Sequence, residues 1–228
     1  MPVNATEKSY NAIVEKIRNG HLRPGDKLTT RALAEEIGVS LSPFREAVTR
    51  LACEGIVVQR TGTTTIVREC NPQEFDNLFG LLEIIEAGLN ESIAERINPV
   101  ELNEVHSCVR ENSTWLSRLE NEPYDSMDRY FVEFHLMEQR FLSAMFKASD
   151  NPWLTLLVRN HKRIEQMYAR NSLDSREAVI AYCKVILEHR EKLVNEIANR
   201  KAVAARETTV SKLQKLRKLL LNSQQVTQ

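Results

Sequence analysis

The sequence predicts a mainly α-helical protein in two parts: three short helices with a β-hairpin, then a bundle of longer helices. Apolar residues recur at helical spacing over most of the 228 residues. The strand-like runs and most turn-forming residues fall in the first 70 residues, and helical periodicity dominates from residue 71 onward. We therefore expect one domain over residues 1–70 and an all-α antiparallel helical bundle over residues 71–228.

The N-terminal part has the pattern of three helices and a hairpin. A first amphipathic helix is predicted over residues 6–19, and a second is capped by Thr29 or Thr30 and stops at Gly38. A third helix has a proline in its first turn and ends at Gly55. Two β-rich runs, IVVQR and TIVRE, follow with a glycine between them. This order of elements is that of a winged helix-turn-helix.

The longer helices are separated by residues that start or stop helices. Asn71-Pro72 and Asn98-Pro99 each have the pattern of an N-cap followed by proline in the first turn. Later breaks are expected near residues 122–123, 150–152, 172–175 and 199–201. These breaks predict six helices of roughly 20 residues, and their short connections favour antiparallel neighbours.

Composition restricts the class of protein. Lys and Arg together equal Asp and Glu at 31 each, so net charge alone predicts no nucleic-acid partner. No apolar run approaches the roughly 18–20 residues of a membrane span, and the first residues lack the pattern of a signal peptide. Cys53, Cys70, Cys108 and Cys183 are too widely spaced for a CxxC pair. We expect a cytoplasmic protein with reduced thiols and no membrane partner.

The outer face of the third helix has the residue types that contact DNA. Ser42, Arg45 and Thr49 fall at i, i+3 and i+7, opposite an apolar stripe. Short hydroxyl side chains can approach phosphates, and an arginine can reach guanine O6 and N7. Arg31 begins the second helix, where it could hold the flanking backbone. The tip of the hairpin would add the small residues Thr61, Gly62 and Thr63.

A polar face on a single helix is usually only solvated surface. The prediction of DNA binding therefore depends on the order of the three helices and the hairpin. The segment IRNGHLRPGDKLTTRALAEEIGVSLSPFREAVTRLACEGIVVQ resembles the N-terminal domain of GntR-type bacterial transcription regulators. The resemblance implies a winged helix-turn-helix in which Arg31, Ser40, Ser42 and Arg45 contact the operator, with the wing at Thr61 and Gly62. The matching positions are Gly20, Leu22, Pro24, Gly25, Leu28, Leu33, Ala34, Gly38, Val39, Ser40, Pro43, Arg45, Glu46, Ala47, Leu51, Glu54 and Gly55.

One position departs from that pattern. Most members of the family have arginine after Val-Ser, where this chain has Leu41. Loss of a base-reading or phosphate-binding arginine should cost on the order of 1–3 kcal/mol or change the base preference there. We therefore expect an operator that differs from the usual one, with a thymine methyl group against the leucine as the hypothesis.

The helical part resembles the ligand-sensing domain of the FadR branch in its FCD form. The likeness rests on length and on the segments EFH…NPWL and LEHREKLVNEI. Many FCD domains bind a metal through an aspartate and a histidine one turn apart and one histidine on each of two later helices. Here the resemblance matches His135 and His189, while Phe131 replaces the aspartate and Ser211 the last histidine. An arginine that meets the effector in the family is replaced by Leu82.

These departures predict no tightly bound metal and no other cofactor. Two imidazoles leave a transition-metal site short of ligands unless water and an effector complete it, so His135 and His189 are weak candidates for ligation. Both histidines lie on apolar stripes of their helices, which favours interior, hydrogen-bonded side chains. The changes at Leu82 and Phe131 predict an effector pocket that is less polar than is usual in the family.

Two functions remain to be distinguished. The first is a DNA-binding transcription regulator, typically a repressor, that binds a palindromic operator as a homodimer and responds to a small-molecule effector. The alternative is a helical-bundle metalloenzyme that uses His135 and His189. The sequence has no nucleophile-plus-base pair and no glycine-rich phosphate loop, so we expect a protein that is not an enzyme.

Overall fold

The computed structural model describes residues 4–60, 64–69, 71–121, 127–173 and 175–225. In these ranges it contains nine α-helices and one two-stranded antiparallel sheet. Two compact units form, one from Met1–Asn71 with Arg163–Asn171 and the other from Pro72–Lys162 with Ser172–Gln228. The short helices are α1 (Ala5–Arg18), α2 (Thr30–Ile37) and α3 (Leu41–Cys53), and the strands are β1 (Val57–Arg60) and β2 (Thr64–Val67). The long helices are α4 (Pro72–Arg96), α5 (Pro99–Asn121), α6 (Met127–Ser149), α7 (Pro152–Ser172), α8 (Arg176–Ala198) and α9 (Ala202–Gln225).

The first unit is built on α1 and α3, whose apolar stripes pack together as the periodicity predicts. Asn4 caps α1, because its side-chain oxygen accepts a hydrogen bond from the Thr6 amide at 3.1 Å. The buried side chains of this core include Tyr10, Ile13 and Ile17 of α1 and Phe44, Ala47, Val48 and Leu51 of α3. The opposite face of α3 is thereby left in solvent.

The turn between α2 and α3 requires a glycine. Gly38 ends α2 with φ at 71°, a left-handed conformation that costs little without a Cβ. The amides of Gly38 and Val39 donate to the last carbonyls of α2, which closes the helix end. At the other end, Thr29 occupies the N-cap position, but its side chain makes no capping hydrogen bond, so the expected side-chain cap is not formed there.

The hairpin lies directly after α3. Its register pairs Val57 with Val67 and Arg60 with Thr64, and residues 61–63 between the strands lie outside the described ranges. Lys27 forms an isolated bridge to Ile66, so the segment before α2 lies along the free edge of β2. Ile56, Val57, Ile66 and Val67 are buried, and they fix the hairpin to the core of the unit.

The second unit consists of the long helices, and the ends of those helices agree with the sequence signals. Asn98 accepts hydrogen bonds from the amides of Val100 and Glu101 at 2.9 and 3.0 Å, and Ser175 accepts one from Ala178 at 3.2 Å. The breaks predicted near 150–152, 172–175 and 199–201 are confirmed. The break near residues 122–123 falls outside the described ranges.

Helix α4 forms the centre of the second unit, packing against α6, α8 and α9. The face predicted for it is buried along its whole length, from Phe75 through Leu82 to Ile93. Among the residues that the model describes, no helix combines the length and the apolar character that crossing a bilayer demands. The interior of this unit also holds several charged side chains, which the apolar stripes did not predict.

Candidate nucleic-acid interface and effector cavity

The outer face of α3 is exposed and polar. Ser42, Arg45 and Thr49 all lie in solvent, opposite the buried stripe of the same helix. Leu41 is also exposed at 37%, so an apolar side chain stands at the N-terminal end of this face. The Thr49 hydroxyl donates to the Arg45 carbonyl at 3.0 Å, which leaves its lone pairs for an outside donor. Ser40 is exposed at the N-cap position, and its side chain makes no capping hydrogen bond.

Two arginines near this face have no partner within the described part of the chain. Arg31, in the first turn of α2, and Arg45 are exposed, and neither forms an ion pair or a side-chain hydrogen bond there. Arg50, five residues after Arg45, differs because it pairs with Glu7 at 2.9 Å and with Glu54 at 3.2 Å. Arg31 and Arg45 can therefore bind a phosphate or a base without breaking an internal contact.

The wing of the predicted interface is described only as far as its two strands. Strands β1 and β2 bring the chain to the tip of the hairpin, but Thr61, Gly62 and Thr63 lie outside the described residues. The predicted contacts at these three positions stay a prediction.

A buried tyrosine holds α3 in place within the first unit. The Tyr10 hydroxyl donates to Glu54 and accepts from Arg163, and the Arg163 guanidinium lies 3.1 Å from Glu54. The Arg50 guanidinium stacks on the Tyr10 ring at 4.0 Å from its centroid. Burial, and next the hydrogen bond to Glu54, raise the pKa of Tyr10, so the phenol stays protonated. The C-terminal end of α3 is thus fixed by charge-assisted hydrogen bonds.

The second unit encloses a cavity among α4, α6, α7, α8 and α9. The cavity itself is small, about 30 Å³, and the wider space around it, which includes open solvent, measures about 560 Å³. Apolar side chains such as Phe141, Met145 and Leu193 form part of its wall. The charged and titratable side chains that line it are Glu86, Glu138, Lys162, His189, Arg190 and Lys212.

The charged side chains that line the cavity form two groups of ion pairs. Glu86 bonds to Lys212 and lies 3.9 Å from Lys162, and Arg190 bonds to Glu138. Burial raises the pKa of Glu86, but Lys212 and Lys162 outweigh it, and the net result is a lowered pKa and an ionised carboxylate. Burial lowers the pKa of Arg190, although Cys108 and Glu86 act in the opposite direction. The wall of this cavity carries five ionisable acid and base side chains besides His189, and the expectation of an effector pocket less polar than is usual in the family stays a prediction.

The residues predicted for the effector pocket are only partly brought together. His189 lines the cavity, while Leu82 is fully buried elsewhere in the core and Ser211 is exposed on α9. His135 is buried on α6 but is not part of the cavity wall, and the Phe131 side chain lies outside the description. The sequence indicated the other cavity residues only indirectly. Glu138 lies on the same helical stripe as His135, and Arg190 directly follows His189.

The donor set does not suit the metal that an FCD domain implies. In the described ranges, no three side chains of His, Cys, Asp or Glu cluster as metal ligands do. The Nδ1–H of His189 donates to the Val185 carbonyl at 2.7 Å, which leaves only Nε2 of this ring as a ligand. Burial lowers the pKa of His189 and favours the neutral ring. The ammonium and guanidinium groups of Lys162, Lys212 and Arg190 would repel a divalent cation.

Comparisons with known proteins agree with both parts of this description. The family model for bacterial regulatory proteins of the gntR family matches residues 5–67, and the FCD domain model matches residues 77–215. The regulator LutR of Bacillus subtilis is 29% identical over 111 residues, or 42% of this chain and 51% of that protein. McbR of Escherichia coli is 24% identical over 79% of this chain and 80% of its own length.

A solved structure of E. coli McbR/YncC has the same fold. It superposes with a TM-score of 0.75 over 96% of this chain and 98% of that one, at 19% identity. A helix-turn-helix with an exposed arginine on its outer face, joined to a helical domain with a cavity lined in part by charged side chains, defines a DNA-binding transcription regulator with an effector-binding domain. The chain belongs to the GntR family and has an FCD-type sensor domain, as in the FadR branch.

Proposed function

We propose that this regulator binds a palindromic double-stranded operator as a homodimer, acts as a repressor in the cytoplasm, and releases DNA when an effector binds. Residues 1–70 contact DNA, and residues 71–228 pair the subunits and bind the effector. The observation that carries the proposal is the exposed outer face of α3, where the Arg45 side chain has no partner among the residues that the structure describes. One recognition helix reads only a few base pairs, so two copies are needed for a specific site.

The contacts follow from the chemistry of each side chain. Arg45 reads a guanine edge in the major groove, and Ser40 and Ser42 bind phosphates at the N-terminus of α3. Leu41 contacts a thymine methyl group, and Arg31 holds the flanking backbone. Thr49 lies one turn beyond Arg45, and the wing residues Thr61, Gly62 and Thr63 lie along the adjacent groove.

Exposed apolar side chains on α7 support the homodimer. Trp153, Leu156 and Leu157 lie at i, i+3 and i+4 on one face of the helix. They are 78%, 47% and 47% exposed, which is an unusual cluster for a surface that meets only water. A second copy of the chain is the partner that an operator with two-fold symmetry requires.

An effector in the cavity of the FCD domain would shift the population of DNA-competent dimers. Binding changes that population only if the two states of the dimer differ in affinity for the effector. In a two-fold dimer, effector binding would change the spacing and tilt of the two recognition helices. These helices must match half-sites roughly 34–36 Å apart for the dimer to bind DNA. The polar wall of the cavity supports a site for a small ligand in this domain.

The experiment is selection of preferred duplexes from a random library with the full-length chain, followed by affinity measurements at several salt concentrations. The expected result is an enriched inverted repeat, with a duplex of two half-sites bound much more tightly than one whose second half-site is scrambled. Enrichment of no sequence, or failure to retain duplex DNA at low salt, would contradict the proposal. Enrichment of a single, non-repeated half-site would contradict the dimer.

A further inference from the structure

Helix α7 contributes residues to both units. Its residues Pro152–Lys162 belong to the second unit, whereas Arg163–Asn171 belong to the first. Within the first unit, the Arg163 side chain reaches the C-terminal end of α3. Its Nη1 donates to the Tyr10 hydroxyl and to a carboxylate oxygen of Glu54, the latter at 3.1 Å. A guanidinium that lies 109 positions after Glu54 in the sequence therefore contacts the end of the recognition helix.

Glu54 carries its negative charge at an unfavourable place. It is the C-cap residue of α3, where the last carbonyl groups of the helix already leave a partial negative charge. The Nε of Arg50 lies 3.2 Å from Oε1, and both Arg163 and the Tyr10 hydroxyl donate to Oε2. The Glu54 side chain is only 15% exposed, so water replaces these partners poorly. Without Arg163, Oε2 would keep only the neutral phenol as a partner in the described part of the chain.

Two more side chains of the same α7 segment lie at helix ends of the first unit. Ile164 Cδ1 is 3.9 Å from the place that a Cβ of Gly55 would occupy, just after α3. Arg170 Nη2 is 3.3 Å from the corresponding place at Gly20, just after α1. Both glycines have positive φ, 74° and 76°, and the missing Cβ allows the close approach. The segment therefore lies against the C-terminal ends of α1 and α3 together.

We propose that Arg163 is a positioning residue for operator reading, because it holds the C-terminal end of α3 and so keeps Ser42 and Arg45 in place in the major groove. At about 1.5 Å per residue, the 13 residues of α3 span about 20 Å, so a tilt of about 5° moves the far end by roughly 2 Å. A binding site needs its side chains within about 0.5 Å of the productive geometry. This inference rests on the proposed operator binding, and it adds a residue from outside residues 1–70 to the reading machinery.

The test is fluorescence anisotropy with full-length variants, using the selected operator and a scrambled duplex. Arg163→Gln should weaken operator binding on the order of tenfold, because charge-assisted hydrogen bonds at the end of each α3 are lost. Binding of the scrambled duplex should change by less than about threefold, since phosphate contacts of other side chains supply most of it. Arg163→Lys keeps the cation and should bind the operator within about threefold of the wild type. Arg110→Gln removes an exposed positive charge from α5 and should leave both affinities unchanged.

A double variant separates positioning from a general loss of structure. If Arg163 acts through the reading face, its loss matters little once Arg45 is absent. Arg163→Gln should therefore weaken operator binding by less than about threefold in the Arg45→Ala background, against about tenfold in the wild type. Amide hydrogen exchange without DNA adds a measurement that needs no operator. Exchange near Glu54 should be faster in Arg163→Gln than in the wild type, and unchanged in Arg110→Gln.

The contrary results overturn the inference. An Arg163→Gln protein that binds the operator like the wild type shows that this side chain does not position α3. Equal weakening of both duplexes, or equal weakening in both backgrounds, shows a purely structural role. Glu54→Gln removes the charge that Arg163 binds, should reduce operator binding in the same selective way, and keeps the test valid if Arg163→Gln does not fold. A wild-type chain that selects no operator refutes the proposed regulation, whereas unchanged exchange in α3 refutes the role of Arg163.

Discussion

Replacing Arg45 by alanine separates DNA recognition from folding, because this guanidinium is exposed and has no partner in the described part of the chain. The substitution removes no side-chain hydrogen bond that the described residues make, and it keeps a good helix former in the middle of α3. Its effect on the free energy of unfolding should stay within about 0.5 kcal/mol. Arg50 on the same helix is the matched control, since it pairs with Glu7 and Glu54 and should act on stability.

The expected loss of DNA affinity follows from the number of contacts. A bidentate contact of arginine with guanine is worth about 1–3 kcal/mol. A homodimer makes this contact twice, so Arg45→Ala should weaken operator binding by about 2–6 kcal/mol. At about 1.4 kcal/mol for each tenfold change, the smaller figure is already roughly 30-fold. Binding to unrelated DNA should change far less, because phosphate contacts supply most of it.

The assay is fluorescence anisotropy with the selected operator and with a scrambled duplex, supported by urea unfolding of both variants. Arg45→Ala should lose discrimination between the two duplexes and keep the wild-type unfolding curve. Arg50→Ala should instead keep its discrimination between the two duplexes and unfold at a lower urea concentration. If Arg45→Ala binds the operator as tightly as the wild type, the outer face of α3 is not the reading surface. If it unfolds early, the Arg45 side chain stabilises the folded state.

Four further outcomes can be measured. Leu41→Arg should enrich guanine at one position of each half-site in a random library, and identical preferences would refute a reading role for this residue. Tyr10→Phe should lower the free energy of unfolding by about 1–3 kcal/mol in urea, because it deletes a hydroxyl bonded to two charged groups, and a change below about 0.5 kcal/mol would contradict this. Trp153→Glu should produce monomers in analytical ultracentrifugation, whereas the exposed control Asn103→Glu should leave the dimer intact; a dimeric Trp153→Glu protein would exclude this face. Burial lowers the pKa of His189 in the folded state, so as the pH falls below about 6.5 the unfolded chain binds the proton first and the free energy of unfolding declines. His189→Gln should flatten that decline in urea titrations at several pH values. If wild type and variant lose stability in parallel as the pH falls, His189 does not cause the decline.

The first unit was largely predictable because its information is local. The stripe of Phe44, Val48 and Leu51 sets the buried face of α3 and so the exposed one, and Gly38 at φ 71° fixes the turn before it. A motif with many fixed positions then gave the family, which the matched domain models confirm. The pairing of Tyr10 with Glu54 and Arg163 was out of reach, because it depends on side chains up to 153 residues apart.

The charged side chains of the cavity in the second unit were out of reach for the same physical reason. The sequence analysis used the changes at Leu82 and Phe131, which suggest a less polar effector pocket, whereas the charges in the wall of this cavity come from other positions. Glu86 lies within the apolar stripe of α4, where a single carboxylate does not alter the periodicity. Its partner Lys212 looks like any surface lysine of α9 until the two helices meet. Buried ion pairs between distant helices leave no pattern in a single sequence.

The distance along the chain between Glu86 and Lys212 also matters while the protein is being synthesised. These residues are 126 positions apart and belong to the first and last helices of the second unit. A nascent chain therefore exposes the recognition helix long before α9 leaves the ribosome, and until then Glu86 has no Lys212 beside it. Closing a contact of such separation is entropically costly and slow. Each new molecule passes through a period in which it carries its reading surface but has no sensor to control it.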